Sequence, residues 1–575
     1  MNFETPNSPS DDWQEMQPPV LDAAPASGLA FVNLGVNSPE DTDAPLGSGD
    51  AHKPLDEVDT DRTITQADLI QDLTITAPAE EPVVLDSFVP LLQKLDSTVF
   101  LDDVTNEYDL VGDINDSEWK SLQAYANRVV ELSVSDSPGQ SPKVANPAFF
   151  RLGQYQGRTP LFPSLSRLQI TNTTSSSLFY LDMLFSPSLT TLTINSICSP
   201  QAVAFFLKRV AAEASLSTLI LDSVNLPSVV ANALSHCLHL EVLELKKLKE
   251  IVPFSLKAMA HLPHLKILKF DATDVTFLQT KAEFDDSGPK FQSLEELRFV
   301  GSGTILPSIV GDLASAANLQ HMHIELTKYT MIATRRIGVN VRKAVARRVE
   351  YSPVGDLLAG ISRQLPLRSL VVIFNNNEIG YDNLPGSTIS CLSSLRNLEQ
   401  LEISGVGISD LDRALAGTNE LWPKIQTLRL PLSSNSSNNA RTGVYGLSLS
   451  TLRHLARSCL HLTSIQSFII LPSDHSSLTG FDDKPISHPL KSLSVGCFPE
   501  AQWRHDSENM DKVYHTASCL YAIFPNLDTI QTHEQYASEF WTEVHKLVKI
   551  YQKIRALDRL RYGSTWQDGH GPDDN

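Results

Sequence analysis

The sequence predicts an α/β solenoid, a parallel sheet on the concave side with helices outside. Three observations carry that prediction. One short pattern returns along most of the chain, the closing residues of each copy alternate in polarity, and stretches with helical spacing fill the intervals.

The pattern is an apolar residue, two variable ones, Leu, one variable residue and a second apolar one, as in "LKILKF" at Leu265. It recurs at Val129, Leu165, Leu189, Leu216, Leu240, Leu265, Leu294, Leu319, Leu367, Leu398, Ile425, Leu462, Leu490 and Leu527. The mean spacing is about 31 residues, close to the range of leucine-rich repeats. Alternation sends the last two apolar side chains to one face of a strand and their neighbours to the other. One strand–helix unit cannot bury its apolar face alone, whereas stacked units bury one another's. "SPQAVAFFLKRVAAEA", "PSVVANALSHC" and "LSTLRHLARSC" supply the helices between strands. The turn-closing asparagine of regular repeats is mostly missing and the intervals are uneven, so the expectation is an irregular leucine-rich-repeat solenoid forming a distorted arc.

In chain order, residues 1–82 read as a disordered acidic tail: about seventeen Asp and Glu face only Lys53 and Arg62, with few large apolar residues to offset the entropy of ordering. Within it, "TITQADLIQDLTI" (Thr63–Ile75) places Leu69, Ile70 and Leu73 at helical spacing, readable as a transient helix, a short docking helix or an export-type signal. Residues 83–128 are expected to form a helical N-terminal cap. Leu85, Phe88, Leu92 and Leu95 would line one helical face, and Trp119, Leu122 and Tyr125 a second. The repeat arc should span residues 129–540, with a basic insertion at 327–352. A capping helix is expected over 541–561, its stripe made by Trp541, Val544, Leu547, Val548, Tyr551, Ile554 and Leu557. Residues 562–575 read as a second disordered tail.

Composition narrows the function classes. The net charge of −21 sits largely in the acidic tail, and the bulk balance argues against nucleic acid as the main ligand. No run of eighteen apolar residues is present, so no membrane span is expected. The N-terminus lacks the basic start and apolar stretch of a secretory signal. Six scattered cysteines argue against a zinc site or a disulfide scaffold and fit a reducing compartment, hence a cytoplasmic or nuclear location. There is no GxxxxGK[ST], GxGxxG after a strand, HExxH, GxSxG or CxxC, so the expectation is a non-enzyme without a cofactor.

The candidate binding residues follow from the alternation. Val242, Glu244, Lys246, Ile267, Lys269, Asp271, Glu296, Arg298, His321, His323 and Glu325 fall at outward strand positions. Small apolar area interleaved with both charge signs suits a protein partner better than a small molecule. The triplet His321, His323 and Glu325 has metal-ligand chemistry. Neighbouring strands would have to complete the set, and Arg298 there would oppose a cation, so no metal site is assigned. In the insertion, Arg335, Arg336, Arg342, Lys343, Arg347 and Arg348 form a basic cluster, readable as a nuclear-import signal, a patch for an acidic partner, a clamp on the acidic tail, or a solvated loop.

"DSFVPLLQKL", "DSEWKSLQAYANRVVELSV", "PLFPSLSRLQI", "LFSPSLTTLTI" and "WTEVHKLVKIYQKIRALDRL" together resemble the F-box/leucine-rich-repeat proteins of mushroom-forming fungi, over roughly residues 83–560. The resemblance implies a substrate-recognition subunit of an SCF-type ubiquitin ligase, whose F-box binds a Skp-type adaptor on a cullin while the repeats select the substrate. The F-box itself is not recognisable: residues 1–82 hold no Leu-Pro-x-Glu-like opening. The alternative is a repeat scaffold or enzyme regulator resembling leucine-rich GTPase activators, whose repeats are more regular and carry the turn asparagine.

Overall fold

The computed structural model describes residues 81–562 apart from a set of connecting segments, the longest being 274–290 and 329–357. The principal sheet runs through β1 (Val83–Leu85), β2 (Val129–Ser135), β3 (Arg167–Thr171), β4 (Thr191–Asn195), β5 (Thr218–Asp222), β6 (Val242–Lys246), β7 (Ile267–Ala272) and β8 (Glu296–Ser302). It continues through β9 (His321–Lys328), β10 (Ser369–Phe374), β11 (Gln400–Ser404), β12 (Thr427–Arg429), β13 (Ser464–Ile470), β14 (Ser492–Gly496) and β15 (Thr529–Thr532). Spatial order equals chain order throughout, and the neighbouring strands are parallel. A two-residue strand, Leu447–Ser448, adds a short parallel pairing to the end of β13.

Every one of the fourteen pattern copies leads into one of the strands β2–β15. The register shows why the pattern works. Its second apolar residue forms one continuous row, running Leu132, Leu168, Leu192, Leu219, Leu243, Leu268, Leu297, Met322, Leu370, Leu401, Leu428, Ile465 and Leu493. All are buried. The third apolar residue builds a parallel row through Ile170, Ile194, Leu221, Leu245, Phe270, Phe299, Ile324 and Val372. Each such side chain contributes about 1.5–3 kcal/mol on burial, so the summed rows are the main stabilising term of the stack.

The strand entrances are equally regular. The residue just before each of β3–β14 offers a carbonyl that accepts two N–H groups from the next unit, as Ser217 does from Glu241 and Val242, and Lys266 from Glu295 and Glu296. Three residues before the pattern's first apolar position sits a buried anchor whose carbonyl closes a tight turn: Phe162, Cys237, Phe291, Trp422, Cys459 and Phe524 among others. Trp422 also donates its indole N–H to the Leu392 carbonyl one unit back, at 2.7 Å. Burial pushes the Cys237 and Cys459 thiols up to about 12, so both serve as small apolar anchors and not as nucleophiles.

Helices fill the return paths, including Pro200–Glu213, Ser228–Leu234, Leu449–Ser458 and Ser507–Ile523. Their buried residues, such as Leu207, Leu234, Leu452 and Leu520, share one apolar core with the strand rows. The Leu449–Ser458 helix starts where Ser448 accepts from the Thr451 N–H, a side-chain cap that satisfies an otherwise orphan donor.

The N-terminal cover differs from the helical cap expected over residues 83–128. Val83–Leu85 is a strand pairing with β2, so Leu85 joins the core from a sheet edge. The helix after it is only Val89–Leu92, and Val99–Asp102 with Glu107–Leu110 forms an antiparallel hairpin, widened by Lys143–Val144. Clustered β-branched and aromatic residues favour strands here, and Asn106 takes the left-handed conformation (φ 54°) at the turn. The second expected helix is present as Asp116–Ala126. Phe88, Phe149 and Phe162 meet edge-on at 5.0 and 5.8 Å, with Tyr180 stacked on Phe149, and so close the first rungs.

At the other end the expected capping helix is present as Ser538–Tyr562, but its apolar stripe divides in two. Trp541, Val544 and Val548 are buried, whereas Ile550, Ile554, Leu557 and Leu560 are about half exposed or more. The apolar band is wider than the surface available to cover it. The acidic tail with Thr63–Ile75, and the tail beyond Tyr562, lie outside the described residues.

Candidate functional site

The outward residues of the strands form rows as regular as the buried ones. Val242, Ile267, Glu296, His321 and Ser369 lie in one line, and Glu244, Lys269, Arg298, His323 and Val371 in the next. Asp271, Val300, Glu325 and Ile373 make a third, with Lys246 at the corresponding place on β6 beside Asp222 of β5. All eleven residues expected on the outward face therefore do share one face of β6–β9. They are half-buried or exposed, in contrast to the sealed opposite face.

The middle of this face carries its own electrostatic network. Lys246 pairs with Glu244 at 3.3 Å, and Lys247 reaches Asp222 at 3.8 Å. Glu325 gathers three groups: Arg298 at 4.0 Å, His323 Nε2 at 3.9 Å, and the Asn375 side-chain amide, which donates to it. Asp271 accepts from the Thr273 hydroxyl and backbone N–H. Burial and the Arg298 guanidinium hold His323 below the usual histidine range, against the opposing pull of Glu325, Glu402 and Glu296. Its Nε2 is enclosed without a hydrogen-bond partner. Lys269 lies directly beside Arg298 in register, a like-charge neighbour pair that costs stability in a sheet.

Two residues missed in the sequence extend the band. Glu402 and Arg429 occupy the same row on β11 and β12 and pair at 3.1 Å. The same alternation would have found them from "LEQLEI" and "IQTLRL". Beyond the band, toward either end, the row turns neutral: Ser133, Gln169, Thr193 and Ile220 on β2–β5, and Gln466, Ser494 and Gln531 on β13–β15.

Among the described residues no group of three His, Cys, Asp or Glu side chains is placed to hold a metal ion. His321, His323 and Glu325 share a face, but the guanidinium of Arg298 occupies the carboxylate's surroundings. At the strand-entry edge a cavity of about 300 Å³ is lined by Asn318, Gln320, Arg368, Asn397, Glu399 and Lys424. Arg368 pairs with Glu399 across it and Lys424 bonds Asn397, so its polar groups are mutually engaged. The basic cluster Arg335, Arg336, Arg342, Lys343, Arg347 and Arg348 lies outside the described residues. No helix among the described residues is long and apolar enough to cross a membrane. The chain matches no protein-family model and no curated protein.

Proposed function

We propose that the chain is a non-enzymatic, protein-binding leucine-rich-repeat receptor, related to the substrate-selecting subunits of SCF-type ubiquitin ligases, that takes its partner on the open face of β6–β12. One observation carries the reading. A parallel sheet normally has both faces covered, yet among the described residues one face of this sheet carries only half-buried and exposed side chains on β6–β9, and charge mixed with small apolar area is densest on those middle strands. Such a mixture suits a protein surface: Val242, Ile267, Val300, Val371 and Ile373 provide apolar contact, and the charges set register and exclude wrong partners. A backbone stapled by paired N–H bonds at the entrances of β3–β14 is rigid, so little ordering entropy opposes binding.

The test is affinity purification with mass spectrometry of the full chain and of a chain lacking residues 1–82. The reading predicts a specific protein retained by both. Co-purification of a cullin and its Skp-type adaptor supports the ligase role. Their clean absence, with the other partner retained, removes that role and leaves a binding scaffold. Absence of any specific partner overturns the reading.

A further inference from the structure

The C-terminal helix changes character along the side that faces the sheet. Its first turns seal the last rung with Trp541, Val544 and Val548. One helical repeat further on, the same side carries Gln552, Arg555 and Arg559. Gln552 closes the last turn by donating to the carbonyls of Pro525 and Leu527 at 3.0 and 2.8 Å. Lys549 supports it from the preceding turn through the Leu527 carbonyl and Asp528. Beyond these bonds the helix and the sheet edge part, leaving a cavity of about 540 Å³.

Three cations line that cavity: Arg555 and Arg559 from the helix and Lys491 from the entrance of β14. Among the described residues none of the three has a carboxylate within ion-pair distance. Asp528 also lines the space, but Lys549 holds it at 3.6 Å. A terminal helix whose only task was to shield the core would carry apolar residues on this side, as its first turns do. Half-buried Arg555 is instead kept beside two further unpaired cations, in a chain whose overall charge is strongly negative.

We infer that this cavity is an anion-binding site for a phosphate group. Two guanidinium forks present several N–H donors in a plane, and the Lys491 ammonium adds a third positive centre; together they match a tetrahedral dianion better than a single carboxylate. Asn526 borders the site with its amide nitrogen already donated to the His488 carbonyl, so the binding donors are the three cations. The phosphate reaches the cavity either as a free oxyanion or on a phosphorylated side chain of another protein. Because the site lies at the chain's last rung, away from β6–β12, it stands or falls independently of the open-face reading.

Calorimetric titration of the full chain at fixed ionic strength tests it, with inorganic phosphate, a phosphoserine hexapeptide and the same peptide unphosphorylated as probes. Saturable one-to-one binding of either phosphate probe is expected, weakened at least tenfold by Arg555→Gln and by Arg559→Gln and unchanged by Lys546→Gln on the same helix. Lys491→Gln, on a separate element, should weaken it as well, which guards against a helix that merely fails to dock. Binding of the phosphopeptide alone supports a protein-borne source, and equal binding of both phosphate probes supports a free oxyanion. Absence of saturable binding with both, or full binding by the arginine variants, overturns the site.

Discussion

Strands β3–β5 and β6–β9 have the same backbone and the same buried leucine rows, but their outward faces differ in kind. On β3–β5 the outward positions hold Gln169, Thr171, Thr191, Thr193, Asn195, Thr218 and Ile220, with charge only at Arg167 and Asp222. On β6–β9 they hold Glu244, Lys246, Lys269, Asp271, Glu296, Arg298, His321, His323 and Glu325, interleaved with Val242, Ile267 and Val300. The stack imposes one chemistry on its sealed side and almost none on its open side. Outward residues are thus free to specialise, and the place where they do so marks the candidate surface.

If the buried rows are equivalent, truncating them should cost the same in both regions. Leu168→Ala and Leu297→Ala are each expected to destabilise by about 2–5 kcal/mol, read from urea unfolding. A flank variant costing under about 1 kcal/mol would break the equivalence. Next in size is Gly405→Ala, just past β11. Gly405 has φ 78°, and an added Cβ would collide with the Phe374 carbonyl of β10. A loss of about 1–3 kcal/mol is expected, at a spot where adjacent rungs touch through backbone alone.

The rungs also predict a pH response. His488 is buried before β14, its Nδ1 accepting from the Leu490 N–H and its Nε2 bonding the Cys459 carbonyl. Burial lowers the pKa, against the opposing pull of the Cys459 carbonyl, and Nδ1 can accept from Leu490 only while the ring is neutral. The unfolded chain therefore takes up the proton first as pH falls. The histidine's stabilising contribution is complete above about 6.5 and is lost as pH drops through the lowered folded value. His323 on the open face shifts in the same direction. Unfolding curves between pH 7 and 5 should show a shallower decline for His488→Asn than for the natural chain; identical slopes would contradict the assignment. The smallest effect is expected for outward ion pairs. Arg167→Gln on the flank and Arg429→Gln in the band should each change stability by under about 1 kcal/mol, because both arginines are roughly half exposed or more.

How much of this was legible depended on periodicity. The strand pattern reports an interaction repeated at every rung, so β2–β15, the buried rows and the outward face of β6–β9 could be read from "LKILKF" and its copies. The ends lack neighbours on one side, and there periodicity misleads. Val83–Leu85 reads as the start of a helix because Leu85 and Phe88 fall at helical spacing, yet β-branched Val83 and Val84 extend the sheet instead. The stripe of the last helix reads as one surface because sequence shows which residues are apolar but not how much of the band the last rung can cover. The turn anchors Phe162, Phe291, Trp422 and Phe524 were legible in principle, since each stands three residues before the pattern. Arg555, Arg559 and Lys491 were not, because their proximity is set by how the helix meets the sheet edge.

The most direct test of the open-face claim places equal charge changes in the two regions. Lys269→Gln with Arg298→Gln alters the band, and Gln169→Glu with Thr193→Glu alters the flank; each pair shifts the charge by the same amount in the negative direction at matched outward positions. Retention of the partner recovered with the natural chain is then measured by quantitative affinity capture, with circular dichroism confirming that both variants fold. The account predicts at least a tenfold loss for the band variant and less than a twofold change for the flank variant. Equal retention by the two, or a greater loss from the flank, would contradict it.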